Sequence, residues 1–351
     1  MDEQNINEAL WLPKPGGRFE VGPAPYTPPA ADEIVVRTRA VAVNPVESLP
    51  GWAYRVGMPW VTFPAIIGSD VAGEVVEIGA GVTRFQPGDR VVGHAVGVER
   101  SENRAAEGGF QRYVVLMQRM VTPIPSAITF EQAAVLPLTL STAATGLFQP
   151  DHLGLRMPAA NSVQGTETVL VWGASTSVGS NAVQLARCAG YRVFATASAH
   201  NFDYVRSLGA VHVVDYHDTT AVDELVDAIG SNPLAGSLAI GSGSLRRAIA
   251  IAARTTGSKR VASAQPAAVV RIQGWRAPRR GVQVSAIWGG TLKDNEVGPG
   301  IYVDFLPAAL RCGDFRPAPE ATVVGTGLAA IPDALQQLRR GVSATKLVVT
   351  I

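Results

Sequence analysis

Cysteine is nearly missing from this chain of 351 residues: Cys188 and Cys312 are the only two, far apart in sequence. Two thiols build neither a disulfide framework nor a four-cysteine zinc lobe, and Cys188, inside an apolar helical pattern, reads as a buried thiol. An excess of charge is missing too. Thirty Lys and Arg oppose 29 Asp and Glu, so no net field gathers a polyanion and no nucleic-acid partner is expected. The densest basic stretch, RIQGWRAPRRG over Arg271–Gly281, reads as a solvated loop. Apolar runs stop short of membrane-spanning length, and the opening MDEQNINEAL is polar and acidic, unlike a signal peptide. These absences lead to the expectation of a soluble, cytoplasmic protein with no membrane partner.

What is present points to two domains of α/β class. Apolar residues make up 47%, with 36 glycines and 24 prolines, as in a globular chain with many turns. Short apolar runs at Glu33–Asn44, Gly73–Gly79, Asp89–Val96 and Phe110–Met117, each bounded by Gly, Pro or Asp, predict a compact antiparallel barrel. The period changes over Thr129–Phe148, where Thr129 and Gln132 have the spacing of a capping box and predict a helical stretch. A linker is expected over Pro150–Glu167. From Thr168, strands alternate with helices for about 120 residues, which predicts a doubly wound parallel sheet. The tail returns to mixed character, with a helix around PDALQQLRRG and a last strand, KLVVTI.

The stretch GASTSVG, Gly173–Gly179, follows the apolar strand TVLVW and leads into a helix. A pyrophosphate at a helix N-terminus needs free backbone N–H groups and close approach of the backbone. Gly173 would supply the tight turn and Gly179 the close packing. Thr176 and Ser177, with Ser175 and Val178 beside them, would offer donors to phosphate. The same heptad also suits a plain strand-to-helix turn. The end of the second strand of this sheet selects the ribose: an acid there would bond a 2′-hydroxyl and repel a 2′-phosphate. Ser198, His200 and Asn201 stand at that place instead, with Tyr216 closing the third strand, and their donors favour NADP. Helix capping is the other use open to Ser198 and Asn201.

The blocks AVAVNP (Ala40–Pro45), GSDVAGEVVEIGAGVTRFQPGDRV (Gly68–Val91), GGFQRYVV (Gly108–Val115), EQAAVLPLTLSTA (Glu131–Ala143), VWGASTSVG and SATKLVV (Ser343–Val349) run in this order over nearly the whole chain. Together they resemble the medium-chain dehydrogenase/reductase superfamily, in its zinc-free quinone and enoyl reductase branch. ASAHNFDYVRSLGA and GASTSVG are similar to the trans-acting enoyl reductases of fungal polyketide pathways and their bacterial relatives. The resemblance implies a GroES-like barrel domain, 1–138 and 293–351, around an NADP-binding Rossmann domain, 139–292, with the nicotinamide in the cleft between them. Zinc-dependent members place a cysteine near Asn44 and a His-Glu pair near Ser69 and Asp70. Neither thiol nor imidazole stands there, so no metal is expected.

Without zinc, the accessible chemistry is hydride transfer from the nicotinamide to the β-carbon of an enone, enoyl thioester or quinone, with donors for the charge that builds on the carbonyl oxygen. The resemblance implies Tyr54, in the loop PGWAYRVG, as proton donor, and Asn44 as a catalytic and cofactor-side residue; a packed or solvent-facing aromatic, with water as the proton source, is the other reading of Tyr54. Glu47 reads as structural. Thr142, Gly241, the backbone at Ile287 and Trp288, and Lys346 are expected beside the cofactor. Trp52, Trp60, Phe63 and Trp288 would shape the substrate pocket. An NADPH-binding redox sensor or structural protein with little turnover is the alternative. Relatives that pair edge strands such as VQVSAIW leave homodimer and monomer both open.

Overall fold

The computed structural model describes residues 6–159 and 162–351. The start of MDEQNINEAL and two positions of the expected linker, 160 and 161, lie outside the described residues. The chain divides into two compact units, 1–138 with 320–351, and 139–319.

The first unit is built on the β-branched run Glu33–Ala42, buried along most of its length. It pairs antiparallel with Asp70–Ile78 and with Tyr113–Met117. The seven-stranded sheet runs in the order Glu320–Thr326, Thr345–Thr350, Glu33–Ala42, Asp70–Ile78, Arg90–His94, Val121–Pro123, with Tyr113–Met117 also on Glu33–Ala42. Ile34, Val36, Val71, Val75, Val91 and Leu116 fill one core; each such burial contributes about 1.5–3 kcal/mol. Asn7–Leu12 pairs with Glu20–Ala24 and Ala65–Ile66 in a small second sheet. The expected loop PGWAYRVG is instead a helix, Gly51–Gly57: Pro50 presets its entry, and no β-branched residue interrupts its first turn.

Thr129 begins a helix by the expected box, accepting from Gln132 N at 3.2 Å while its own N–H donates to Gln132 Oε1 at 2.9 Å. The helical stretch is two helices, Phe130–Ala134 and Pro137–Phe148, because Pro137 has no N–H to continue the first.

The second unit holds six parallel strands in the order Ala210–Asp215, Arg192–Ala197, Thr168–Trp172, Leu234–Ala239, Arg260–Ser263, Gln283–Ala286. Numbered within the unit, this is 3-2-1-4-5-6, the doubly wound order with its switch point beside Thr168–Trp172. That strand is buried throughout, as a parallel sheet covered on both faces requires. The chain returns to the first unit at Glu320, later than the expected 293. The intervening segment belongs to the second unit by its contacts: the Tyr302 hydroxyl lies 2.9 Å from that of Ser141, and Gln184 and Arg316 exchange two hydrogen bonds of 3.0 and 3.1 Å.

Candidate active site

In the second unit, Gly173 follows the central strand with φ +88°, a conformation that favours glycine. The helix Ser177–Cys188 starts immediately after the turn. A Cβ on Gly179 would lie 2.2 Å from the Gly173 carbonyl oxygen and 2.6 Å from Ala174 Cα, so the helix closes on its own turn through a bare backbone. The Thr176 hydroxyl donates to Gly173 O at 2.7 Å and accepts from Gly179 N at 3.0 Å. It is therefore committed as the helix cap, a use the sequence reading had assigned to phosphate. The N–H groups of Ser175, Ser177 and Val178 have no acceptor among the described residues. Three donors at the positive end of a helix make an anion cradle.

At the ribose-selecting end, the Ser198 hydroxyl donates to the Tyr216 hydroxyl at 3.2 Å, and neither Ser198 nor Asn201 caps the helix that follows with its side chain. His200 is exposed and Asn201 buried. Arg247, which sequence reasoning missed, donates to Tyr216 O at 2.7 Å and lies 5.4 Å from the Trp172 ring. Asp215 is an acid close by; its carboxylate accepts from His217 N and stands 2.8 Å from His217 Nδ1, interactions that hold it below the usual carboxylate range. Farther along the sheet, Gly289 lies against Thr142, with a Cβ reaching 2.6 Å from Thr142 Oγ1, so Thr142 and the segment after Ile287–Trp288 come together. Trp288 is partly exposed. The Gly241 carbonyl accepts from Ser244 Oγ at 2.7 Å and from Gln265 Nε2, which makes it the pivot of a turn.

The first unit contributes a buried polar cluster. Asn44 opens a short turn, Pro45–Ser48, in which Glu47 reaches back to its backbone: Asn44 N donates to Glu47 Oε2 at 2.8 Å. Asn44 Nδ2 donates to Glu47 Oε1 at 3.2 Å and Asp70 Oδ2 at 2.9 Å, and Ser69 N donates to Glu47 Oε1 at 2.9 Å. Asp70 also accepts from Leu138 N at 2.6 Å. Lys346, from the strand Thr345–Thr350, sets its ammonium 2.9 Å from Asp70 Oδ2 and donates to Asn44 Oδ1. Asp70 pairs across the sheet with His94. Asn44, Glu47, Asp70, His94 and Lys346 are all buried. Burial, and then the Asp70 charge, push the Glu47 carboxyl up to about 7. Burial pushes the His94 imidazole down to about 4 against the pull of Asp70.

Comparison with known proteins follows this division. Residues 30–126 match the alcohol dehydrogenase GroES-like domain, and residues 177–291 match the zinc-binding dehydrogenase model. Dehydrogenase pigH of Monascus ruber is 43% identical over 98% of this chain and 99% of its own. The trans-enoyl reductase himH of Aspergillus japonicus is 34% identical over 99% of this chain and 98% of its own. The chain belongs to the medium-chain dehydrogenase/reductase superfamily. Within it, the chain sits with the enoyl reductase branch. The solved structure of CurK enoyl reductase shares the fold at TM-score 0.77 and 20% identity, covering 99% of each chain. This family membership makes the protein a nicotinamide-dependent oxidoreductase.

At the positions where zinc-dependent family members keep ligands, Asn44 and Asp70 hold the Lys346 ammonium, and the Ser69 backbone donates to Glu47. Among the described residues, no three His, Cys, Asp or Glu side chains gather to hold a metal ion. His212 and His217 find different carboxylates, Glu224 at 3.3 Å and Asp215 at 2.8 Å. No helix among the described residues is long and apolar enough to cross a membrane.

Tyr54 is packed, the second of the two uses open to it. Its ring is 3% exposed in a core with Val43, Met58 and Ile66, edge-on to Phe63 at 5.9 Å, and its hydroxyl makes a long 3.4 Å bond to Val46 O. Burial and the Glu47 charge hold the phenol well above its usual range, which suits packing rather than proton donation. Trp52, two residues earlier on the same helix, is 70% exposed, while Trp60 is tied to Val98 O at 3.0 Å.

Proposed function

We propose that this reductase transfers hydride from NADPH to the β-carbon of a conjugated carbonyl compound, a quinone, enone or enoyl thioester, without zinc. One observation carries the reading: the cation held among Asn44 and Asp70 is the Lys346 ammonium, fixed by two buried partners. A permanent charge of the chain's own stands where zinc-dependent members keep ligands, and a carbon already activated by conjugation needs no Lewis acid.

The glycine turn supports the nicotinamide half of the proposal. A dinucleotide would set its pyrophosphate on the N–H groups of Ser175, Ser177 and Val178, at the end of a helix that the bare Gly179 lets close on its own turn. The hydroxyls of Ser198 and Tyr216, with the Arg247 guanidinium beside them, would take the 2′-phosphate. When bound, NADPH supplies the hydride. The chain orients the partners, and water delivers the proton, because Tyr54 is spent in the core.

The test follows oxidation of NADPH and NADH by absorbance with a simple naphthoquinone, an enone and a crotonyl thioester. At least a tenfold preference in kcat/KM for NADPH is expected with one or more of them. Replacing Ser198 by Asp should erase that preference by placing an anion beside the phosphate. Absence of turnover with all three classes, or equal use of both cofactors by the unaltered protein, would overturn the proposal.

A further inference from the structure

The balance of charge over the whole chain conceals a segregation. From residue 228 to residue 293 there is no Asp or Glu, yet there are ten Lys and Arg; the rest of the chain holds twenty Lys and Arg against all 29 acids. Half of those ten cations are spent inside the second unit. Arg254 pairs with Asp223 at 2.6 Å, Lys293 with Asp294, and Arg247, Lys259 and Arg260 bond carbonyl oxygens.

The other five are Arg246, Arg271, Arg276, Arg279 and Arg280, all exposed and none holding a carboxylate among the described residues. The stretch Arg271–Gly281, expected as a solvated loop, is in fact ordered by the helix Ala267–Gly274 and the turn Ala277–Arg280. Trp275 stands between the two, 57% exposed, with Arg276 and Arg279 at 4.4 and 5.3 Å from its ring; Ile272 beside it is 67% exposed.

Trp275 walls two adjoining hollows. One, of about 300 Å³, has Arg246, Arg276 and Arg280 in its lining, beside Ile249. The other, of about 670 Å³, is lined mainly by Val270, Pro278, Val282 and Val284, with Arg271 beside them. Tryptophan and arginine are the residues that carry binding energy in protein interfaces, and here the two stand together on an exposed face, with Arg276 and Arg279 over the Trp275 ring.

We propose that this face docks an acidic segment of a partner protein, with carboxylates entering the arginine hollow and an apolar side chain seated beside Trp275 in the other. Charge complementarity selects this occupant. A second copy of the chain, related by a two-fold axis, would present arginine to arginine. A long nucleic acid would leave the patch for a surface on which acids outnumber bases, and would be repelled there. A short acidic segment meets only the basic face.

The probe is a fluorescent 18-residue amphipathic peptide of Glu and Leu, with a Lys and Leu peptide and an 18-nucleotide single strand of DNA as controls, read by anisotropy. The acidic peptide is expected to bind, with affinity falling as salt rises. Arg276→Glu with Arg280→Glu should weaken it by about tenfold or more, and Trp275→Ala by a similar factor that salt changes little. All three positions are exposed, so the melting transition of each variant should match that of the unaltered protein. The proposal is overturned if the acidic peptide does not bind, if DNA binds more tightly, or if the variants bind equally well. It is also overturned if sedimentation shows a dimer that the double arginine variant converts to monomer.

Discussion

The two polar centres of the molecule are built on opposite plans. In the first unit, Asn44, Glu47, Asp70 and Lys346 bond one another and the backbone N–H groups of Ser69 and Leu138, buried from water. In the second, the turn at Gly173–Gly179 commits one hydroxyl to capping and leaves three N–H groups outward without acceptors. A closed network fixes a shape and a charge; an open one waits for a ligand's oxygens. The difference teaches that the chain keeps its own ions at the first centre and leaves donors open at the second.

That contrast can be broken from the closed side with the largest effect. Lys346→Ala leaves Asp70 buried beside Glu47 with no cation, which should destabilise the fold by about 3–5 kcal/mol in denaturant titration. Lys346→Arg, restoring the charge with a wider head, should recover part of the loss; a full-strength fold in the alanine variant would show that the cluster is not closed.

Titration sharpens the same side. Glu47 has a folded pKa raised to about 7, so its contribution is fully present below its unfolded value near 4.5 and is lost as pH rises through 7. His94 is lowered to about 4, so its contribution is present above 6.5 and is lost as pH falls through 4. Each amounts to roughly 3 kcal/mol, and they offset one another between about pH 4.5 and 6.5. Glu47→Gln removes one side. Its melting temperature should fall on acidification from 6.5 to 4 more steeply than that of the unaltered protein, and parallel curves would separate Glu47 from this balance.

The open side breaks with a smaller free-energy change. In Gly179→Ala, the added Cβ would press on the Gly173 carbonyl at 2.2 Å and spread the turn. NADPH affinity should drop by about tenfold, near 1.4 kcal/mol, in calorimetry; unchanged affinity would mean that the turn does not hold the cofactor. Smallest of all is Tyr54→Phe, which loses a 3.4 Å bond in the core. Turnover should change by less than about tenfold, below the range of a general acid, and stability by under about 1 kcal/mol. A fall of a hundredfold would return Tyr54 to the chemistry.

Much of this architecture was legible in short-range pattern. The β-branched runs, the Thr129 box and the glycine turn each announce themselves within a few residues, and the structure places each of them as read. The clustering of Asn44 with Asp70 and Lys346 was not legible as a bonded set, because its members come from three distant strand ends and no period links them. Glu320–Thr326 escaped for another reason: it is an outer strand, exposed along most of its length, and has no clear apolar alternation. The late return at Glu320 was hidden likewise, since it depends on Ser141 and Gln184 meeting Tyr302 and Arg316 across more than a hundred residues. At Tyr54 the sequence left proton donation and packing both open, and its burial favours packing.

The strand Thr345–Thr350 has a consequence for how the molecule is made. Lys346 is synthesised 302 residues after Asn44, whereas the second unit is one uninterrupted stretch of chain. A ribosome therefore releases the whole second unit while the barrel is still lacking the strand that bears its neutralising ion. Until that strand arrives, Asp70 and Glu47 have no ammonium to meet, and the barrel has an unpaired edge at Ala40–Ala42. The most distant contact in the centre doubles as a proof of completion: a nascent chain that stops early has every residue of the nucleotide turn and none of the charge balance that closes the other centre.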